Sequence, residues 1–110
     1  MLTNNDSDQK LLTLLGFAQK AKKVISGDAN VRAFLKKRQV KLLILADDIS
    51  NEAKERWQRK ANEHQVPTII AADKKRLGLS IGQSPRAIIG LLDDSFAKAI
   101  KECRMDTMKK

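Results

Sequence analysis

The sequence predicts an α/β protein in which a largely parallel sheet is covered by helices on both faces. Three observations lead there. Short apolar runs recur at VKLLILADD (40–48), VPTIIAAD (66–73) and RAIIGLLDD (86–94). Each is apolar almost throughout, the pattern of a strand buried on both sides. Between and around them lie stretches with the three-and-four spacing of amphipathic helices, and connections of helix length suit crossovers between parallel strands better than hairpins.

Taken in order, Leu11, Leu14, Leu15, Ala18 and Ala21 fall at helical intervals and predict a first helix over 8–22. KVISG follows, a short extended piece ending at the turn residue Gly27. Asp28 is placed to cap a second helix that runs to about Arg38 with Val31, Phe34 and Leu35 on its core side. The strand at 40–48 ends in Asp47 and Asp48, and Ser50 is placed to cap a third helix whose Ala53, Trp57 and Ala61 recur every fourth residue. The strand at 66–73 carries Pro67 near its start, where a missing donor is tolerated. Asp73 opens a brief helix through Leu77 and Ile81, which Gly82 can end. The strand at 86–94 leads through Asp93 or Asp94 into a last helix, SFAKAIKE. The first six or seven residues and the tail after Arg104 are polar and aperiodic; they are expected to fray and to hold no function.

A chain of 110 residues has room for one domain and one core, here 1–110 with an ordered part of about 8–103. Twenty-two Lys and Arg against thirteen Asp and Glu give a net charge of +9. That excess concentrates polyanions and limits the partners to nucleic acid, an anionic membrane surface or an acidic protein. No apolar run approaches the roughly 20 residues of a membrane span. MLTNNDSDQK lacks the basic and apolar regions of a secretory leader, so a cytoplasmic location without membrane contact is expected.

Catalysis finds little support. Cys103 is the only cysteine, which excludes an internal disulfide and a thiolate-rich metal site, and His64 is the only histidine, placed where a solvated residue near a helix C-terminus is expected. The five glycines stand singly and match no phosphate-loop fingerprint, so neither a cofactor nor an enzyme is expected. The acidic residues that close the three apolar runs are read as helix caps and first-turn acids, in preference to a Mg²⁺ site at Asp47 and Asp48.

The cations are clustered. Lys20, Lys22 and Lys23 close the first helix, and Arg32, Lys36, Lys37 and Arg38 populate the second. At 100° per residue Ala29, Arg32, Ala33, Lys36 and Lys37 share the side opposite Val31. Such a face is either a solvated helix surface or a phosphate-binding one. The two alanines among cations at a helix N-terminus favour the second, because a polyanion backbone can approach closely there and meet helix N–H groups.

The stretch KKVISGDANVRAFLKKRQVKLLILADDIS, together with LLGFAQKAKKVISG, VPTII and KKRLGLSIGQSPRAIIGLLDDSFAKAI, resembles the large-subunit ribosomal-protein family that binds RNA kink-turns, in its bacterial YlxQ-like branch. The resemblance covers about residues 9–102. It implies a three-layer α/β/α sandwich around a small mixed sheet that also takes in residues 24–26. It further implies a non-enzymatic, ribosome-associated protein that holds structured RNA, ribosomal RNA foremost, through a glycine turn, the helix after it and two loops. Carried over by position, the first part of the RNA face is Lys23, Gly27, Asp28, Ala29, Asn30, Arg32, Ala33, Lys36 and Lys37. Asp47 represents the second region, and Ser84, Pro85 and Arg86 of the GQSPR loop would flank a bulged nucleotide, with Arg86 stacking on it or pairing with phosphate. The chain departs from the family at one place. The Asn–Glu pair and Lys with which archaeal members read sheared G·A pairs correspond, without gaps, to Ala29, Asn30 and Ala33. That leaves open an interaction module for an acidic protein on the same scaffold and, more weakly, a recognition domain that works with a separate RNA-modifying chain.

Overall fold

The computed structural model describes the backbone of residues 3–108 and the side chains of 8–104. In chain order the elements are α1 (Thr3–Lys20), β1 (Val24–Ser26), α2 (Asp28–Lys36), β2 (Leu42–Leu45), α3 (Asn51–Glu63), β3 (Thr68–Ile70), α4 (Lys74–Ser80), β4 (Ile88–Leu91) and α5 (Asp94–Met108). Every expected element is present. Helical backbone reaches further at both ends than the apolar pattern does, so the expected fraying after Arg104 is not seen up to Met108. Lys109 and Lys110 lie outside the described residues.

The strands form one mixed sheet in the order β1-β4-β2-β3. β2 and β3 pair in parallel, with Leu45 opposite Ile70, while β1 and β2 both pair antiparallel with β4. Three strands therefore share a direction, but the expectation of a largely parallel sheet fails for neighbouring pairs, two of which are antiparallel. The cause is α4. Seven helical residues rise only about 10 Å, and β4 begins with Ile88 opposite Leu45, at the edge where β2 and β3 end. The helix and its loop keep the chain at that edge, and β4 re-enters the sheet in the reverse sense between β1 and β2.

Alternation along the strands divides the core. Leu42, Ile44, Ile89 and Leu91 face α1, α4 and α5, where Leu11, Leu15, Leu77 and Ile100 are buried. Leu43, Leu45 and Ile88 face α2 and α3, against Val31, Leu35, Trp57 and Ala61. The result is the three-layer sandwich. Each fully buried Leu or Ile contributes roughly 1.5–3 kcal/mol, which explains why such short strands suffice.

The helix ends follow one rule. Lys22, Arg38, Gln65 and Gly82 take positive φ after α1 to α4. The next N–H then turns back onto the helix, as in Lys23 to the Ala18 carbonyl (2.9 Å) and Val66 to that of Ala61 (2.9 Å). Only Gly82 was legible as a stop signal, because three of the four positions carry side chains. At the helix starts, Ser50 accepts from the Ala53 N–H (3.0 Å), Asp73 from that of Arg76 (2.8 Å) and Asp93 from that of Phe96 (3.0 Å). Asp28 does not cap α2. Gly27 holds that position, and Asp28 is already helical, so its carboxylate points along the helix and accepts from Arg32 Nε at 2.6 Å.

Candidate functional site

The C-terminal ends of β1, β2 and β3 and the N-terminal end of β4 lie on one edge of the sheet. The edge thus gathers Gly27 with the start of α2, the loop at Asp47 and Asp48, the start of α4, and the GQSPR loop. These are three of the expected contact regions and one that was not foreseen.

Gly27 shapes the first. Its N–H donates to the Ile88 carbonyl (3.2 Å) and its own carbonyl closes the first turn of α2 by accepting from Val31 (3.0 Å). With φ 91° and ψ 153° it occupies a region open essentially to glycine alone. No side chain caps α2, in contrast to α3, α4 and α5. Asn30 Nδ2 donates to the Ser26 carbonyl (3.2 Å), which ties the helix back to the turn and leaves Oδ1 as the outward acceptor. Ala29, Arg32, Ala33, Lys36 and Lys37 are all exposed, as the helical wheel requires.

The other segments are bonded to this turn in series. Arg86 Nε donates to Ser26 Oγ (3.0 Å), its backbone N–H to the Lys74 carbonyl (3.0 Å), and the Lys74 N–H to Asp48 Oδ1 (3.1 Å). The Asp47 N–H donates to the carbonyl of Ala72 (2.8 Å), a residue held at φ 59°. The Asp48 carboxylate is therefore engaged as a helix-start acceptor. Arg86 is occupied on every nitrogen of its guanidinium: besides Ser26, Nη1 reaches Ser84 Oγ (2.8 Å) and Nη2 reaches Gln83 Oε1 (3.0 Å). Arg86 clips the GQSPR loop to the glycine turn. Below it, the loop rests on Gly78, where an added Cβ would lie 2.1 Å from the Ser84 carbonyl oxygen.

Not every expected residue meets at this edge. Lys23 precedes β1 at the opposite end of that strand, where its carbonyl accepts from Leu92 (2.8 Å). Lys36 and Lys37 stand at the far end of α2, roughly 13 Å along the axis from Gly27. The edge also carries two cations outside the expected set, Lys74 and Lys75, both exposed in the first turn of α4. Their signal is the KKR that follows the apolar run at 66–73. Away from the edge, His64 ends α3 and Cys103 lies half-buried on α5. Among the described residues no helix is long and apolar enough to cross a membrane.

An α/β/α sandwich with a glycine turn, a basic surface helix and two loops gathered at one edge of its sheet defines a class of small domain. The class has a family: the chain belongs to the ribosomal protein L7Ae/L30e/S12e/Gadd45 family, whose pattern matches residues 9–101. Its relatives include proteins named RNA-binding protein YlxQ. That of Enterococcus faecium is 30% identical over 99 residues, 90% of this chain and 95% of the relative; that of Bacillus subtilis is 31% identical over 94 residues, 86% and 94%. Among solved structures, a protein of unknown function from Bacillus halodurans superposes with a TM-score of 0.81 at 30% identity, covering 86% of this chain and 95% of that one. The Giardia lamblia 15.5 kD RNA-binding protein does so with 0.75 at 16% identity, covering 94% and 89%, which shows a shared fold.

Proposed function

We propose that this is a non-enzymatic RNA-binding protein that grips a bent, kink-turn-like RNA along α2 and the edge at Gly27, in association with the ribosome and its RNA. One observation carries the reading: among α2 to α5, the helix start left without a side-chain cap is the one where the four edge segments meet and from which the basic stripe runs. Free N–H groups and the positive end of the helix dipole suit a phosphate there. Ala29 and Ala33 leave room for an RNA backbone to lie against the helix, with Arg32, Lys36 and Lys37 beside it. The relatives named as RNA-binding proteins support the same reading. With alanines at two of the three positions where archaeal members carry polar readers, shape dominates over sequence.

The test is to place acids on the exposed stripe. Ala33→Glu with Lys37→Glu leaves the melting temperature within a few degrees of the parent, since both sites are exposed. It weakens binding to a structured RNA roughly tenfold or more, a cost of about 1.4 kcal/mol per decade. Unchanged affinity overturns the reading. The exposed alanines also suit a second one, in which the same face docks an acidic protein; then purified RNA binds with no preference for bent over straight duplex.

A further inference from the structure

The groove between α2 and α3 is not part of the edge described above. It is lined by Arg32, Arg56, Trp57, Arg59, Lys60 and Glu63, with a volume of about 220 Å³. On α3, Arg56, Arg59, Lys60 and Glu63 recur at three and four residues and form one stripe. Four cations thus face one carboxylate. Glu52 and Glu55 stand four residues before Arg56 and Arg59, yet among the described residues neither arginine, nor Lys60, closes an ion pair. Their charge is left for something outside the chain.

What that partner is follows from Trp57. The indole is only 5% exposed, and the Arg32 guanidinium lies over it at 5.1 Å from the ring centroid. A base therefore has no ring to stack on, and a protein partner finds no apolar anchor of the kind that dominates protein interfaces. Arg32 is already stacked on the indole and ion-paired with Asp28 at 2.6 Å, so what remains on offer is the positive charge of Arg56, Arg59 and Lys60 beside it. That suits a run of phosphates. Arg32 also belongs to the exposed stripe of α2, roughly 7 Å along the axis from Gly27. The groove is thus continuous with the proposed RNA face.

We infer that the α2–α3 groove is a second RNA-backbone site, which holds phosphates of the helical stem flanking the bent segment. This rests on the RNA-binding reading above and adds to it: affinity depends on stem length, and Arg56, Arg59 and Lys60 act on the stem alone. Sequence is not read here.

The experiment uses the full chain and two kink-turn RNAs, one with a minimal flanking stem and one with that stem lengthened by about one helical turn. The parent binds the longer RNA more tightly. Arg56→Gln with Arg59→Gln and Lys60→Gln, three changes on one side of α3, retains parent affinity for the short RNA and loses the gain from the long one. Its salt slope on the long RNA falls by about 2–3, at about 0.9 for each phosphate that the variant no longer neutralises. Retained affinity for the short RNA also shows that the variant is folded. If parent and variant bind both RNAs alike, with equal slopes, the inference is overturned while the RNA-binding reading stands, and the groove is left to an acidic protein. If the parent holds neither RNA, the reading falls and the inference with it.

Discussion

Arg86 separates two accounts of the GQSPR loop. As a direct RNA contact it works through its charge; as an internal clip it works through the geometry of its fork. The bond from Nε to Ser26 Oγ at 3.0 Å is half-buried, and those to Ser84 Oγ and Gln83 Oε1 are exposed. The first is worth about 1–1.5 kcal/mol and the exposed pair together roughly 0.5–1 kcal/mol, for about 2 kcal/mol in all. Arg86→Lys keeps the charge but cannot reach Ser26, Ser84 and Gln83 together. In thermal unfolding, losing all three bonds, as in Arg86→Ala, should lower the melting temperature by roughly 8–10 °C, and Arg86→Lys, which keeps at most one of them, by at least about half of that. RNA binding should weaken to the same extent in Arg86→Lys as in Arg86→Ala, with the salt slope unchanged, because the weakening comes from a loosened loop and leaves the phosphate contacts in place. An Arg86→Lys protein as stable and as tightly bound as the parent, beside a weakened Arg86→Ala, would refute the clip and restore Arg86 as a contact.

Three further outcomes are expected. Gly27→Ala meets no atom within 4 Å but must hold φ 91°, so it lowers stability by about 1–3 kcal/mol through backbone strain alone; an unchanged denaturation midpoint would contradict the turn as described. Gly78→Ala drives a Cβ into the Ser84 carbonyl, which lifts the loop and speeds hydrogen exchange at the Arg86 N–H, now held by Lys74; unaltered exchange would show that the loop does not depend on Gly78. Gln65→Gly relieves a side chain at φ 59° after α3 and gains about 0.5–1 kcal/mol with no effect on RNA affinity, a pair of results that denaturant titration and a binding curve check together.

The elements and the two faces of the sheet were legible because burial imposes period on sequence: Leu42 to Leu45 are apolar throughout, and Val31 and Leu35 share one side of α2. Strand direction was less so. Whether α4 crosses the sheet or stays at its edge depends on its length against that of the strands, and seven residues sit near the boundary. Asp28 reads as a cap because local chemistry cannot reveal that the cap position falls one residue earlier, at a glycine with φ 91°.

At the candidate site, the exposed face of α2 followed from the helical wheel, and the pairing of Gly27 with the GQSPR loop followed from the family resemblance. What stayed hidden depends on distance in the chain. Arg86 is bound to Ser26 sixty residues away, Lys74 and Lys75 reach the edge only because α4 stays there, and Arg32 meets Trp57 across two helices. The charges of α3 read as an ordinary solvated surface until the fold sets Arg56, Arg59 and Lys60 along a groove with Arg32.

The most direct test of the central claim is a salt-dependent titration of the chain against a kink-turn RNA and a straight duplex of equal length. The account predicts tighter binding to the kinked RNA, with a preference that persists as salt rises, since the edge at Gly27 and the loop clipped by Arg86 respond to shape. Equal affinities that collapse together with salt would leave only non-specific phosphate attraction and contradict it.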